Sequence, residues 1–108
     1  MERLEKLSQR IQKFNDDRDW HQFHSPANLA KSIAIEAGEL LECFQWTEHE
    51  YDREEVLGEL ADVTNYCLQL AQVLNVDIVD MVNAKMDITE KKYPVSKAKG
   101  VSTKYNKL

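Results

Sequence analysis

Residues 57–74 read LGELADVTNYCLQLAQVL. At 100° per residue, Leu57, Leu60, Ala61, Val63, Cys67, Leu68, Leu70, Ala71 and Leu74 cover most of an arc of about 180°. A helix so broadly apolar is central to its fold or shared with another subunit. The remaining sector carries Glu59, Asp62, Tyr66 and Val73 in a stripe about 60° wide. Glu59 and Asp62 are spaced i, i+3, so their carboxylates lie on one face.

The preceding segment has a matching feature. In residues 29–44, LAKSIAIEAGELLECF, the residues Leu29, Ala30, Ile33, Ala34, Ala37, Leu40, Leu41 and Phe44 form one apolar stripe. Glu36 borders that stripe and Glu39 lies on the same edge, one turn along. If the two helices pack antiparallel and side by side, four carboxylates converge. Left unpaired in a partly desolvated place, they repel one another. A divalent cation relieves that repulsion, and an all-oxygen donor set points to Mg²⁺ or Mn²⁺ rather than Zn²⁺. The competing reading is a solvated acidic face, where such spacings arise by chance. A carboxylate di-iron bundle needs Glu-x-x-His, and none of His21, His24 and His49 follows a glutamate at that spacing.

Working outward, the chain reads as four helices. The first covers about 2–19, with Leu4, Leu7, Ile11 and Phe14 at helical spacing. A loop through Trp20, His21, Gln22, Phe23 and His24 follows, and Ser25-Pro26 supplies an N-cap with proline at the first helical position. The second helix runs to about residue 44. Asp52 and Glu55 have capping-box spacing and start the third, which ends near residue 74. Asn75-Val76-Asp77 breaks the chain, Asp77 caps a fourth helix to about residue 92, and Pro94 stops it. Residues 95–108 are expected to be extended, ordered only by packing on something else.

Composition narrows the classes. The 108 residues suit one domain, and 43% apolar content excludes a disordered or fibrous chain. With 31% charged residues and only short apolar runs, neither a membrane span nor a secretory signal is expected. Cys43 and Cys67 lack metal or redox spacing, so reduced thiols and a cytoplasmic setting are expected. The net charge of −5 argues against a nucleic-acid polymer as partner. That charge is divided: residues 1–90 hold all 19 acids, while residues 91–108 hold six lysines and no acid.

The stretches Asp19-Trp20-x-Gln22-Phe23-His24, Asn28-Leu29, Glu36-Ala37-Gly38-Glu39-Leu40-x-Glu42, Phe44-Gln45-Trp46, Glu59-Leu60-x-Asp62-Val63, Lys85-Met86-Asp87 and Lys92-Tyr93-Pro94 stand in one colinear order. Together they resemble the MazG-like nucleoside triphosphate pyrophosphohydrolases, in particular the short single-domain branch of the dCTP pyrophosphatases. The resemblance runs from about Gln12 to Gly100. It implies an all-α, four-helix MazG-like bundle that assembles as a homodimer or homotetramer. It also implies Mg²⁺-dependent hydrolysis of a (deoxy)nucleoside triphosphate, dCTP or a related dNTP, to the monophosphate and pyrophosphate. Its metal-holding and catalytic carboxylates map onto Glu36, Glu39, Glu59 and Asp62.

A triphosphate is itself anionic, so an acidic site accepts it only when metal ions reverse the local field. One carboxylate not used as a ligand then orients the attacking water, a role given to Glu39 although the sequence does not separate it from the other three. Lys85 and Lys92 are candidates to meet phosphates, with Asp87 beside them and Lys31 a weaker candidate. For the base, the resemblance suggests an aromatic pocket of Trp20 and Trp46, joined by Phe23 and Tyr66, with His24 and Asn28 as hydrogen-bonding residues. Related sequences often carry histidine at the position of Ile11, so the base preference is left open. Two alternatives remain: a non-catalytic helical module binding a nucleotide or protein through the same acidic surface, and a phosphoribosyl-ATP pyrophosphatase, which the Trp20–His24 segment and the Phe44–Trp46 run do not resemble.

Overall fold

A computed structural model describes residues 2–108. They divide into two compact units, one ending at Asn75 and one spanning Val76–Leu108. Every regular element among the described residues is helical, as expected. No helix among them is long and apolar enough to cross a membrane.

In the first unit, α1 covers Arg3–Arg18, α2 Pro26–Glu42 and α3 Arg53–Val73. Their ends are set by local chemistry. Asp19 adopts a left-handed conformation (φ 55°) that closes α1, and the Trp20 N–H reaches back to the Asn15 carbonyl at 3.0 Å. Between α1 and α2, His21–Phe23 form one 3₁₀ turn. The Ser25 hydroxyl accepts from the Asn28 N–H at 3.1 Å, with Pro26 as the first helical residue. Asp52 accepts from the amides of Glu54 and Glu55 at 3.0 and 3.3 Å, and Asn75 (φ 55°) ends the segment after α3.

α2 packs along α3, and α1 also lies against α3. Leu29, Leu68 and Ala71 are buried between these helices, together with two polar residues, Asn15 and Gln69. The wide apolar arc of α3 is only partly covered, since Leu57 and Leu60 stay largely exposed beside Leu7 and Phe14 of α1. The stripe expected on α2 is narrower than its periodicity implied. Leu41 is 71% exposed, because a helix packed against one neighbour buries only the edge facing it. α2 also stops at Glu42 rather than 44, and Phe44 turns to meet Tyr51 with ring centroids 4.9 Å apart.

The second unit holds α4, Ile78–Lys92, whose first turn is capped by Asp77 accepting from the Asp80 N–H at 3.0 Å. Residues 95–108, expected to be extended, instead carry a one-turn helix, α5 (Val95–Ala98), and a 3₁₀ turn at Tyr105–Lys107. Pro94, with φ −61°, ends α4 and its carbonyl then accepts from Lys97 and Ala98 to start the new turn. Tyr105 packs edge-on against Tyr93 at 6.1 Å, and the Lys92 Nζ sits 4.5 Å from its ring centroid.

Candidate functional site

Three of the four expected carboxylates meet. Glu36 of α2 and Glu59 and Asp62 of α3 each offer an oxygen, all within 4.8 Å of one another. The i, i+3 spacing keeps Glu59 and Asp62 on one face of α3, and the packing of α2 along α3 brings Glu36 to them. One oxygen of Glu36 and one of Glu59 are shut off from solvent and have no hydrogen-bond partner. Buried lone pairs in that state are costly unless something accepts them.

The electrostatics record the same crowding. Glu36 is pushed up to about 7, first by a side-chain hydrogen bond with Glu39, then by burial and the charges of Glu39, Asp62 and Glu59. Glu59 is raised too, with burial the leading cause and Glu39 the next. Glu39 therefore acts on the group electrostatically without belonging to the tight trio. Hard oxygen donors, convergent and unpaired, fit a small divalent cation.

Glu36 and Asp62 also line a cavity of about 230 Å³, where Trp20, His24 and Tyr66, all expected at the site, join them. Phe14 packs edge-on against Trp20 at 5.5 Å, so two aromatic rings stand together at its wall. The Nδ1 of His24 is buried without a partner, and burial, with His21 nearby, holds the imidazole below its ordinary pKa.

Of the other expected residues, Asn28 and Trp46 belong to the first unit and Lys85, Asp87 and Lys92 to the second. The Asn28 amide donates to the Phe23 carbonyl at 3.0 Å and so closes the loop before α2. Trp46 is 89% exposed beyond the end of α2. Lys85 and Asp87 are exposed on α4, while Lys92 meets Tyr105 as described.

Four cavity residues were not anticipated: Phe14, Asn15, Asn65 and Gln69. The Asn15 Nδ2 donates to the Gln69 Oε1 at 3.0 Å, and the Gln69 Nε2 donates to the Asn65 Oδ1 at 2.9 Å. A signal did exist. Asn15 follows Ile11 by four residues, and Asn65 and Gln69 follow Asp62 by three and seven. These spacings set polar groups on the faces that also carry the core and the acids.

With this geometry in view, the comparisons with known proteins are specific. Residues 31–108 match the model of the MazG-like family. The chain is 39% identical to dCTP pyrophosphatase 1 of Homo sapiens over 114 aligned positions, covering 97% of this chain and 67% of that protein. Its identity to the dCTP pyrophosphatase 1 of Bos taurus is 36%, over 97% of this chain and 68% of the relative. Among solved structures, a pyrophosphatase from Archaeoglobus fulgidus superposes with a TM-score of 0.78 at 41% identity, covering 87% of this chain and 94% of the other.

Proposed function

This chain belongs to the MazG-like family, and from that premise we propose that it hydrolyses a deoxynucleoside triphosphate to the monophosphate and pyrophosphate. dCTP or a close relative is the proposed substrate, in keeping with the activity named for the similar mammalian proteins. The observation that carries the reading is the carboxylate trio of Glu36, Glu59 and Asp62, with two buried oxygens that no protein group satisfies.

Those three residues would hold Mg²⁺, or Mn²⁺, which when bound accepts phosphate oxygens and acidifies a coordinated water. Glu39, which raises the pKa of Glu36 yet lies outside the trio, is the carboxylate assigned to orienting the attacking water. Trp20 and Tyr66 offer ring faces to the base, and the unpartnered His24 Nδ1 offers it a hydrogen bond. Trp46, Asn28, Lys85, Asp87 and Lys92 keep the substrate-binding roles that the family resemblance implies. The exposed apolar residues Leu7, Phe14, Leu57 and Leu60 supply a surface for a second copy of the chain, as a homodimer or within a homotetramer. A cytoplasmic setting accords with Cys43 and Cys67, both free thiols.

The decisive experiment incubates the protein with the four common deoxynucleoside triphosphates and Mg²⁺, assaying pyrophosphate and orthophosphate separately. Pyrophosphate without orthophosphate, abolished by a chelator, is expected. No pyrophosphate with either Mg²⁺ or Mn²⁺ would sink the enzyme reading. Thermal stabilisation by nucleotide without turnover would instead favour a binding module.

A further inference from the structure

The three amides that meet at the cavity have a direction. The Gln69 carbonyl is taken by the Asn15 NH₂ group, and the Asn65 carbonyl is taken by the Gln69 NH₂ group. Asn15 is 2% exposed and Gln69 6%, so water does not replace these bonds when one is lost. Asn65 is the exposed end of the chain of amides. Its carbonyl already accepts one bond, and its NH₂ donates none among the described residues.

A solitary surface asparagine presents donor or acceptor with equal ease, because a half-turn of its amide exchanges them. Here that half-turn sets NH₂ against NH₂ at Gln69. Relief requires Gln69 to turn as well, and then Asn15. Burial makes each mismatch costly. The sense of the exposed amide is therefore tied to that of the two inner ones.

Position indicates what Asn65 meets. Asp62 lies at the acidic end of this face of α3, and Gln69 stands about 10 Å of helical rise beyond it. Phe14, Trp20 and Tyr66 line the same cavity and suit a flat ring, which when stacked leaves only its edge to be read. Ile11, one turn before Asn15, brings no polar group of its own.

Resting on the pyrophosphohydrolase reading, we propose that Asn15, Gln69 and Asn65 form an amide relay. Its free end, the Asn65 NH₂, donates to a carbonyl oxygen or unprotonated ring nitrogen on the nucleobase edge. Asn65 is thus a specificity-determining residue, and Gln69 is the positioning residue to which its sense is tied.

The test uses the intact protein with Mg²⁺ and whichever common deoxynucleoside triphosphate it hydrolyses fastest. A base-free 2-deoxyribose 5-triphosphate serves as competitive inhibitor. Asn65→Ala should lower kcat/KM about 10- to 100-fold, chiefly through KM, and leave the inhibition constant of the base-free compound unchanged. Equal losses for both compounds, or no loss for the nucleotide, overturn the proposal. Gln69→Glu makes the inner partner acceptor-only, which forces Asn65 to turn its NH₂ inward. The nucleotide loss should then match that of Asn65→Ala, and the double variant should lose no more. Additive losses overturn the relay. If circular dichroism shows that the buried carboxylate unfolds the chain, Gln69→Leu takes its place in the same cycle. Wild-type protein that releases no pyrophosphate refutes both readings, whereas an active wild type with an unselective Asn65→Ala refutes the relay alone.

Discussion

Two sets of polar side chains face one cavity in the first unit, and the fold treats them in opposite ways. Asn15, Gln69 and Asn65 are neutral and bonded in series, with the inner two buried. Glu36 and Asp62, with Glu59 and Glu39 beside them, are acidic and crowded, and two of their oxygens are buried without a partner. The amides contribute to stability as they stand. The carboxylates oppose it in the absence of a cation, and their repulsion becomes useful only when a ligand answers it. A group that the fold leaves unsatisfied marks where a ligand belongs, and a satisfied group marks what holds the site in shape.

The contrast can be broken most forcefully at the carboxylates. Asp62→Asn or Glu36→Gln should lower kcat/KM about a thousandfold with helicity by circular dichroism unchanged; activity within a few-fold of wild type would show that these acids are ordinary surface groups. On the amide side the effect falls on stability. Asn15→Ala leaves the Gln69 carbonyl buried without a donor and should cost about 1–3 kcal/mol in denaturant unfolding. Glu36→Gln should do the reverse in metal-free protein and raise the thermal midpoint, because it removes one charge from the repelling set.

A smaller effect follows from pH. The folded-state pKa of Glu36 is pushed up to about 7, above the ordinary carboxylate value of 4.5, so between those values the native state binds more protons than the unfolded state. Stability of the metal-free protein should therefore fall as pH rises through that window, and added Mg²⁺ should restore it at the upper end. A midpoint that rises over the window would contradict the crowded-carboxylate picture. The smallest effect is expected at Trp46. With 89% exposure it belongs to neither set, and Trp46→Ala should change unfolding free energy by less than about 0.5 kcal/mol. A larger loss measured in dilute protein would reveal packing that this single chain does not contain.

Much of this is legible in the sequence. Ser25, Asp52 and Asp77 cap their helices as their spacing indicated, since a capping side chain bonds an amide only two or three residues away. The pairing of Glu59 with Asp62 followed from helical period alone. The amide relay was not legible, because Asn15 and Gln69 are 54 residues apart and each looks like an ordinary polar residue on its own helix. The tail misled for a similar reason. Its order comes from Tyr105 returning to Tyr93 and Lys92, and no local propensity encodes that return.

By itself, then, the sequence determined the helices, their ends and the acidic faces they display, because hydrogen bonds within a turn and the 3.6-residue period act over short range. Only the tertiary structure decided which polar groups are satisfied and which are left waiting. Burial and partnership depend on what a neighbouring helix brings to within about 3 Å, and neither Asn15 nor Glu36 carries that information alone.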